Sequence, residues 1–367
     1  MRLRLPFRYC EPTFFAGLLD DPLLLVNIRP LGKSLLFDCG QIHHLAKRVL
    51  KSVTAIFISH AHMDHFMGMD SFIRHNHVSP RTVDIFGPPG ITRKMAAKLA
   101  SYDWNLTESF WCSFRVHEIL ADRILTSLFP GAEGFTCRFE GDQPRSDQVI
   151  YANSFLQVEA EQCDHKIPVL IYRITERPAF LLDEKKMDGA GLIRGEWLTE
   201  LKRRYHAAGV AKEPLMVPYR SGNEVVERPV LDSVELYLSI RREETAASIG
   251  YVTDIGFSEE NQAKTLRFLS GVRLLVCECS FLAEDLEKAR VSHHLCSSDL
   301  NSLAKMIRPP FLIPMHLSKT YIHRSHLLYE QLEEPPGVTL LRLPDYLTPR
   351  PLLACEVPKP TYAKAKN

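Results

Sequence analysis

The chain reads as an α/β protein whose sheets are sandwiched between helices, with a functional site on one sheet edge. Two observations carry this reading. Short apolar, β-branched runs alternate with stretches of helical spacing, and no internal repeat interrupts them. The residues with the most chemistry also recur where such runs end. His60 and its neighbours follow Thr54-Ala55-Ile56-Phe57-Ile58, and His165 lies between Phe155 to Ala160 and Pro168 to Ile174. Asp254 ends Ile249 to Thr253, and His316 ends Phe311 to Met315. A layered sheet delivers its strand tails to a single edge.

Taken in order, Leu23 to Val26 and Ser34 to Phe37 read as neighbouring strands joined through Pro30 and Gly32. Gln41 to Lys51 reads as a helix with Ile42, Leu45, Val49 and Leu50 on one face. Pro88-Pro89-Gly90 breaks the chain before a helix from Thr92 to Ala100. Ser258 caps a helix running to Leu269, with Gly271 as its stop. Ser297, Ser298 and Asp299 are the candidate caps of a helix that buries Leu300, Leu303 and Ile307. Residues 351–367, with Pro358, Pro360 and three lysines, read as a loosely packed tail.

Composition fits a soluble enzyme. The 367 residues are 45% apolar and 24% charged, ordinary for a globular chain with a large core. Nine cysteines at scattered spacings do not make a disulfide framework. Cys163, Cys277 and Cys279 lie in strand-like apolar contexts and read as buried thiols of a reducing compartment, Cys277-x-Cys279 as packing rather than a soft metal site. No apolar run approaches the roughly 20 residues of a membrane helix, and the N-terminus lacks a signal-peptide pattern. The expectation is a cytoplasmic protein without a membrane partner. A net charge of +1 neither requires nor excludes a nucleic-acid substrate, because phosphate binding follows local clusters of Lys and Arg.

The sharpest motif is His60-Ala61-His62-Met63-Asp64-His65. His60 and His62, two apart in extended chain, share a face and can hold one ion, while Asp64 and His65 fall at the turn and can serve a second. An isolated histidine after a strand is usually unremarkable, and an aspartate at a strand-to-helix junction is usually a cap. With His165, Asp254 and His316, however, the set comprises five histidines and two aspartates, which suits two adjacent borderline metals. His43, His44, His75 and His77 lie near the motif but at no strand end, and read as surface or supporting residues.

These motifs resemble the metallo-β-lactamase superfamily and, within it, ribonuclease Z, the transfer-RNA 3′-processing endonuclease. Leu35 to Gly40, His60 to Gly68, Asp164 to Pro168, Tyr172 to Glu176, Tyr251 to Asp254, Cys277 to Phe281, His294, and Met315 to Tyr321 carry the likeness. It implies an αββα sandwich of two mixed sheets flanked by helices, with a dinuclear site at the sheet edge, spanning residues 1–350. It implies that His60, His62 and His165 hold one zinc ion and Asp64, His65 and His316 another, with Asp254 bridging; manganese or another divalent metal is the alternative. A hydroxide shared by the ions would attack phosphorus in line, Asp64 would orient it, and His294 would protonate the departing 3′ oxygen. His293 is the competing candidate for that last role. The family also carries an RNA-gripping arm where this chain has residues 184–230, and Lys202, Arg203 and Arg204 are its candidate phosphate contacts. A solvated amphipathic helix is the alternative reading of that stretch. The family is commonly homodimeric.

Some family features differ. Phe7 to Thr13 replaces a glycine-rich start, Gly195-Glu196 a Gly-Pro pair, Thr253-Asp254-Ile255 a Gly-Asp-Thr, and His294-Leu295-Cys296 a His-Ser-Thr. Metal-ligand types survive each change and substrate-positioning types do not. Hydrolysis is therefore the firm expectation, and cleavage of the precursor transfer-RNA trailer the finer one. The rivals are a phosphodiesterase for another RNA or a smaller diester, a thioester or lactone hydrolase, and a non-catalytic RNA-binding relative.

Overall fold

The computed structural model describes residues 5–207, 213–222 and 224–348; the expected tail at 351–367 lies outside them. The described residues fall into two compact units, one drawn from 1–151, 158–174 and 248–367 and the other from 152–157 and 175–247.

Among the described residues the chain begins with an eight-stranded sheet. Its strands follow sequence order: β1 (Cys10–Phe14), β2 (Leu24–Ile28), β3 (Lys33–Phe37), β4 (Val53–Phe57), β5 (Thr82–Gly87), β6 (Ser113–Ile119), β7 (Arg123–Pro130) and β8 (Arg138–Pro144). The β3–β4–β5–β6 pairs are parallel and the flanking pairs antiparallel. Four helices interleave with these strands: α1 (Lys47–Ser52), α2 (Met63–Phe66), α3 (Met69–Asn76) and α4 (Ile91–Leu99). Leu50, Met69, Phe72, Ile73, Met95 and Leu99 bury one helical face against Ile56, Ile58, Val83 and Ile85.

A second sheet opens with β9 (Val149–Ala152), β10 (Leu156–Asp164) and β11 (Pro168–Glu176). The chain then forms α5 (Glu184–Gly189), α6 (Trp197–Ala207), a hairpin of β12 (Leu215–Ser221) and β13 (Glu224–Val230), and α7 (Ser233–Ile240). It returns through β14 (Ser248–Val252), α8 (Glu259–Leu269), β15 (Leu274–Glu278), α9 (Leu286–Ser292), α10 (Ser297–Ile307), β16 (Phe311–Met315), α11 (His326–Gln331) and β17 (Thr339–Leu340). The second sheet runs β17-β16-β15-β14-β11-β10-β9, parallel from β14 to β17. Helices α8, α10 and α11 bury Phe268, Leu300, Leu303 and Leu328 in its core.

Aromatic rings join the two sheets. Phe37, Phe57 and Phe86 stack in series with centroids 4.8 Å apart, and Tyr172 of β11 meets Phe37 and Phe57 edge-on at 5.7 Å. Tyr172 Oη donates to the Ile58 carbonyl at 2.7 Å, and Tyr251 Oη to the Asp38 carboxylate at 3.0 Å. Both bonds lie directly behind the strand tails that carry the conspicuous residues. This is the expected sandwich of two mixed sheets between helices.

Two local expectations differ. The helix expected from Gln41 begins only at Lys47, with Ala46 as its N-cap. Ahead of it Leu45 N–H donates to the Ile42 carbonyl in a turn, so Ile42 and Leu45 reach the core without helical backbone. The cap of α10 is Cys296 rather than Ser297, Ser298 or Asp299: Asp299, three residues on, accepts from the Cys296 N–H at 3.0 Å and closes a capping box. Ser258 caps α8 as expected, accepting from the Asn261 N–H.

The second unit has a small core of its own. Met187, Leu192, Trp197, Leu201, Val217, Tyr237 and Ile240 are buried together, so the segment expected to be either an arm or a solvated helix is a folded αα–ββ–α element. It extends beyond 184–230 to include α7. No helix among the described residues is long and apolar enough to cross a membrane.

Candidate active site

Six strand tails of the two sheets meet at one edge. Asp38 follows β3, His60 follows β4, His165 follows β10, Asp254 follows β14, Glu278 ends β15 and His316 follows β16. Asp38, Asp254 and His316 take left-handed backbone conformations, with φ of 55°, 48° and 60°. Such φ values are uncommon for residues with a Cβ, and they occur here where the chain must leave a strand abruptly.

The candidate ligands form two groups. Ligand atoms of His60, His62, His165 and Asp254 lie within 4.8 Å of one another, as do those of Asp64, His65 and His316. Asp254 stands between the groups. Its Oδ2 is 3.5 Å from His60 Nε2, 3.8 Å from His165 Nε2 and 3.2 Å from His65 Nε2, while its Oδ1 is 3.2 Å from His316 Nε2. Asp64 Oδ2 approaches His65 Nε2 at 3.7 Å and His316 Nε2 at 3.6 Å.

The far side of three rings is fixed. Asp38 accepts from His65 Nδ1 at 2.9 Å, Ser59 Oγ lies 3.1 Å from His60 Nδ1, and the His293 carbonyl accepts from His165 Nδ1 at 2.6 Å. A proton held on Nδ1 leaves Nε2 with a lone pair turned toward the cluster. There, His60 Nε2 and His65 Nε2 are buried, and among the described residues Asp254 Oδ2, at 3.5 and 3.2 Å, is the carboxylate oxygen that faces both. Ring nitrogens left buried in this way are costly unless positive charge, a proton or a cation, meets them. Burial, then the neighbouring His65, pushes the His60 ring down to about 2. Burial also opposes protonation of His65, but the Asp254 and Asp38 carboxylates outweigh it and hold that ring well above its ordinary value. The edge thus calls for positive charge, and these histidines and carboxylates are the donor set a divalent ion takes. Divalent metal binding fits this site.

A close approach of backbone seats the motif. Cys39 N–H donates to the His65 carbonyl, and Gly68 N–H to the Cys39 carbonyl, both at 2.8 Å. A Cβ on Gly68 would collide with the Gly40 carbonyl oxygen, and one on Gly40 with the Asp64 carbonyl oxygen, so neither glycine has room for a side chain.

Beside the ligands lies a second pairing. His294 Nδ1 is 3.1 Å from Glu278 Oε2 and 3.9 Å from Asp254 Oδ1, and its ring lies 4.6 Å from that of His165. Burial works against protonation of His294, but Glu278 overrides it through charge and hydrogen bond, and the ring is pushed up to about 9. Glu278 is itself buried, accepting from the Ile255 N–H and from Ser280 Oγ. His293 points elsewhere, its Nδ1 3.0 Å from Asp164 Oδ2. None of His43, His44, His75 and His77 belongs to the cluster; His44, His75 and His77 bond backbone carbonyls instead. Cys277 and Cys279 are free, buried thiols.

Asp38 and Glu278 had no role assigned from the sequence. The signal was present, because each is an acidic residue at the tail of an apolar strand, the context that singled out Asp254.

Lys202, Arg203 and Arg204 lie on α6 in the second unit. Glu200 binds both arginines, and Arg204, only 9% exposed, also donates to the Glu213 carbonyl at 2.7 Å. Lys202 is exposed, with no ion pair among the described residues.

Comparison with known proteins agrees with this geometry. A family model described as the β-lactamase superfamily domain matches residues 34–149. A ribonuclease Z of Deinococcus radiodurans is 31% identical over 78% of this chain and 83% of its own length. A ribonuclease Z of Prochlorococcus marinus is 26% identical over 90% and 96% respectively. Among solved structures, the metallo-β-lactamase-fold protein YhfI of Bacillus subtilis superposes with a TM-score of 0.50 at 15% identity, covering 91% of this chain and 98% of that one. The two-sheet sandwich, its histidine-rich edge and the length of the match together make this chain a member of the ribonuclease Z family, a metal-dependent nuclease of the metallo-β-lactamase fold.

Proposed function

We propose that this chain is an endoribonuclease that removes the 3′ trailer of precursor transfer RNA. The observation that carries the reading is the pairing of an Asp254-centred ligand cluster with a carboxylate-held histidine on its rim. Hydrolysis of a thioester or lactone needs the first; expulsion of a poor ribose leaving group needs both. The relatives are named ribonuclease Z, which supports an RNA substrate, and transfer RNA is the substrate the family resemblance implies.

In this reading His60, His62, His165 and Asp254 would hold one divalent ion, zinc by preference, and Asp64, His65 and His316 would hold a second. Bound divalent ions supply a water of lowered pKa and neutralise the non-bridging oxygens of a phosphodiester. Asp64, whose side chain is 41% exposed, accepts a hydrogen bond from the attacking water and aims it at phosphorus. His294 transfers a proton from Nε2 to the departing 3′ oxygen, while Glu278 holds Nδ1 and sets the ring's plane. Asp38, Ser59 and the His293 carbonyl keep three ligand rings in the tautomer the ions require. Lys202 and Arg203 on α6 contact phosphates of the RNA body. A homodimer is the assembly expected of the family. The cytoplasm is the compartment the free thiols favour.

Metal-loaded protein should cleave precursor transfer RNA to a mature 3′ hydroxyl. His294→Ala should slow this by about 10²–10⁴-fold, with a smaller loss on bis(p-nitrophenyl) phosphate, whose leaving group barely needs a proton. Equal losses on both substrates, or loss of metal, would remove His294 from the role. Cleavage of the small diester without any action on precursor transfer RNA at low salt would refute the ribonuclease assignment.

A further inference from the structure

A cavity of about 280 Å³ adjoins the ligand cluster; Asp64, His294 and His316 line it together with Leu19, Phe281 and Leu317. Lys319 stands at this cavity too, its Nζ 2.9 Å from Asp21 Oδ1. The two partners are unlike: Asp21 is 6% exposed, whereas the Lys319 side chain is 62% exposed. A lysine present only to neutralise a buried carboxylate would be buried with it. Among the described residues this one has a single tether, its side chain is largely open to solvent, and an ammonium has three donors.

The tether is itself braced. Asp20 accepts from the backbone N–H groups of Gly17, Leu347 and Thr348 at 2.8, 2.6 and 3.0 Å, which fixes the segment that carries Asp21. Leu317 N–H donates to the Leu18 carbonyl at 2.8 Å, locking the strand-tail loop against the same segment. Lys319 therefore sits between two anchored stretches of chain and is held in place before any substrate arrives.

We infer that Lys319 is a positioning residue that clamps the 5′-phosphate of the nucleotide whose 3′ oxygen leaves. The inference rests on the phosphodiesterase reading above, since the same cavity contains His294 and so faces the leaving oxygen. At about 280 Å³ it lies just below the range of drug-sized clefts, room for one nucleotide rather than a folded RNA. Leu19, Phe281 and Leu317 in its lining offer a base apolar contact. Without Lys319 the mouth would present Asp21 and Asp64 to an anion; with it, the ammonium offers charge-assisted bonds to a phosphate.

Titration calorimetry on the zinc-loaded protein tests this with uridine 3′-phosphate and uridine 3′,5′-bisphosphate. The wild-type chain should bind the bisphosphate about 10-fold more tightly, the size of one charge-assisted hydrogen bond at a partly exposed site. Lys319→Ala should shrink the ratio to about 2-fold or less, and Lys319→Arg should keep it, which a merely structural role would not produce. No wild-type preference, or a ratio indifferent to Lys319→Ala, overturns the clamp. Cleavage of precursor transfer RNA reads the ribonuclease assignment independently, so the two ideas fail separately.

Discussion

A histidine ligand is defined as much by the nitrogen facing away from the centre as by the one facing it. Asp38 illustrates this. It is fully buried, and it accepts from Ser59 N–H at 2.7 Å, Ser59 Oγ at 2.9 Å, Tyr251 Oη at 3.0 Å and His65 Nδ1 at 2.9 Å. One carboxylate thus orients a candidate ligand and ties β3, the start of the motif loop and β14 together. In Asp38→Asn the amide can still accept from Ser59, but its NH₂ end cannot accept from His65. Metal affinity should fall by about 10–100-fold, the usual effect of removing such a supporting partner, measured by competition with a chromophoric chelator. Unchanged affinity would mean that His65 finds its orientation elsewhere.

At the scale of an element, α6 joins two demands that the sequence left undivided. Its basic run Lys202-Arg203-Arg204 is not uniform, because the helix turns successive residues by 100°. Arg204 lies inward, bonded to Glu200 and the Glu213 carbonyl, whereas Lys202 faces outward and Arg203 shares Glu200 in an exposed pair. Lys202→Ala and Arg203→Ala should therefore raise KM for precursor transfer RNA, and each should flatten the salt dependence of binding by a slope of about 1. Arg204→Ala should instead loosen the unit and speed proteolysis within residues 197–215, because it strips partners from a side chain that is nearly buried. An RNA-binding defect for Arg204→Ala with unaltered protease resistance would contradict this division.

For the whole molecule, the site is where strand tails of both sheets bring their metal-binding side chains together. Five histidines and two aspartates converge there, and the buried Nε2 atoms of His60 and His65 both face Asp254. Bound ions that the unfolded chain does not hold stabilise by mass action, about 4 kcal/mol for a ligand at 1,000 times its Kd. Chelation should lower the calorimetric melting temperature, and restoring zinc should recover it. After saturation and desalting, metal analysis should return two ions per chain, since seven donors exceed what one tetrahedral site uses. A stoichiometry of one or fewer, or a melting temperature indifferent to chelator, would argue against the dinuclear reading.

Much of this was legible along the chain because it depends on local periodicity. The spacing of His60 and His62 on an extended strand, the acidic and histidine residues at strand tails, and the Ser258 cap of α8 are all set within a few residues of backbone. The resemblance to ribonuclease Z followed from such short strings. What local pattern does not contain is which tail stands beside which. Only the order of strands in the two sheets brings Glu278 to His294, puts Asp254 between two groups of ligands, and sends the ring of His293 to Asp164 rather than into the cluster. The same holds for Asp21 and Lys319, whose pairing spans 298 positions. The turn that replaces the first half of the expected helix at Gln41 also belongs here, since burial of Ile42 and Leu45 against the sheet does not require helical backbone. Sequence determined the kind of chemistry and the elements that carry it, because backbone geometry fixes which side chains share a face. Tertiary structure decided which groups act on one another, because that is a matter of distances between strand tails, and no run of residues records them.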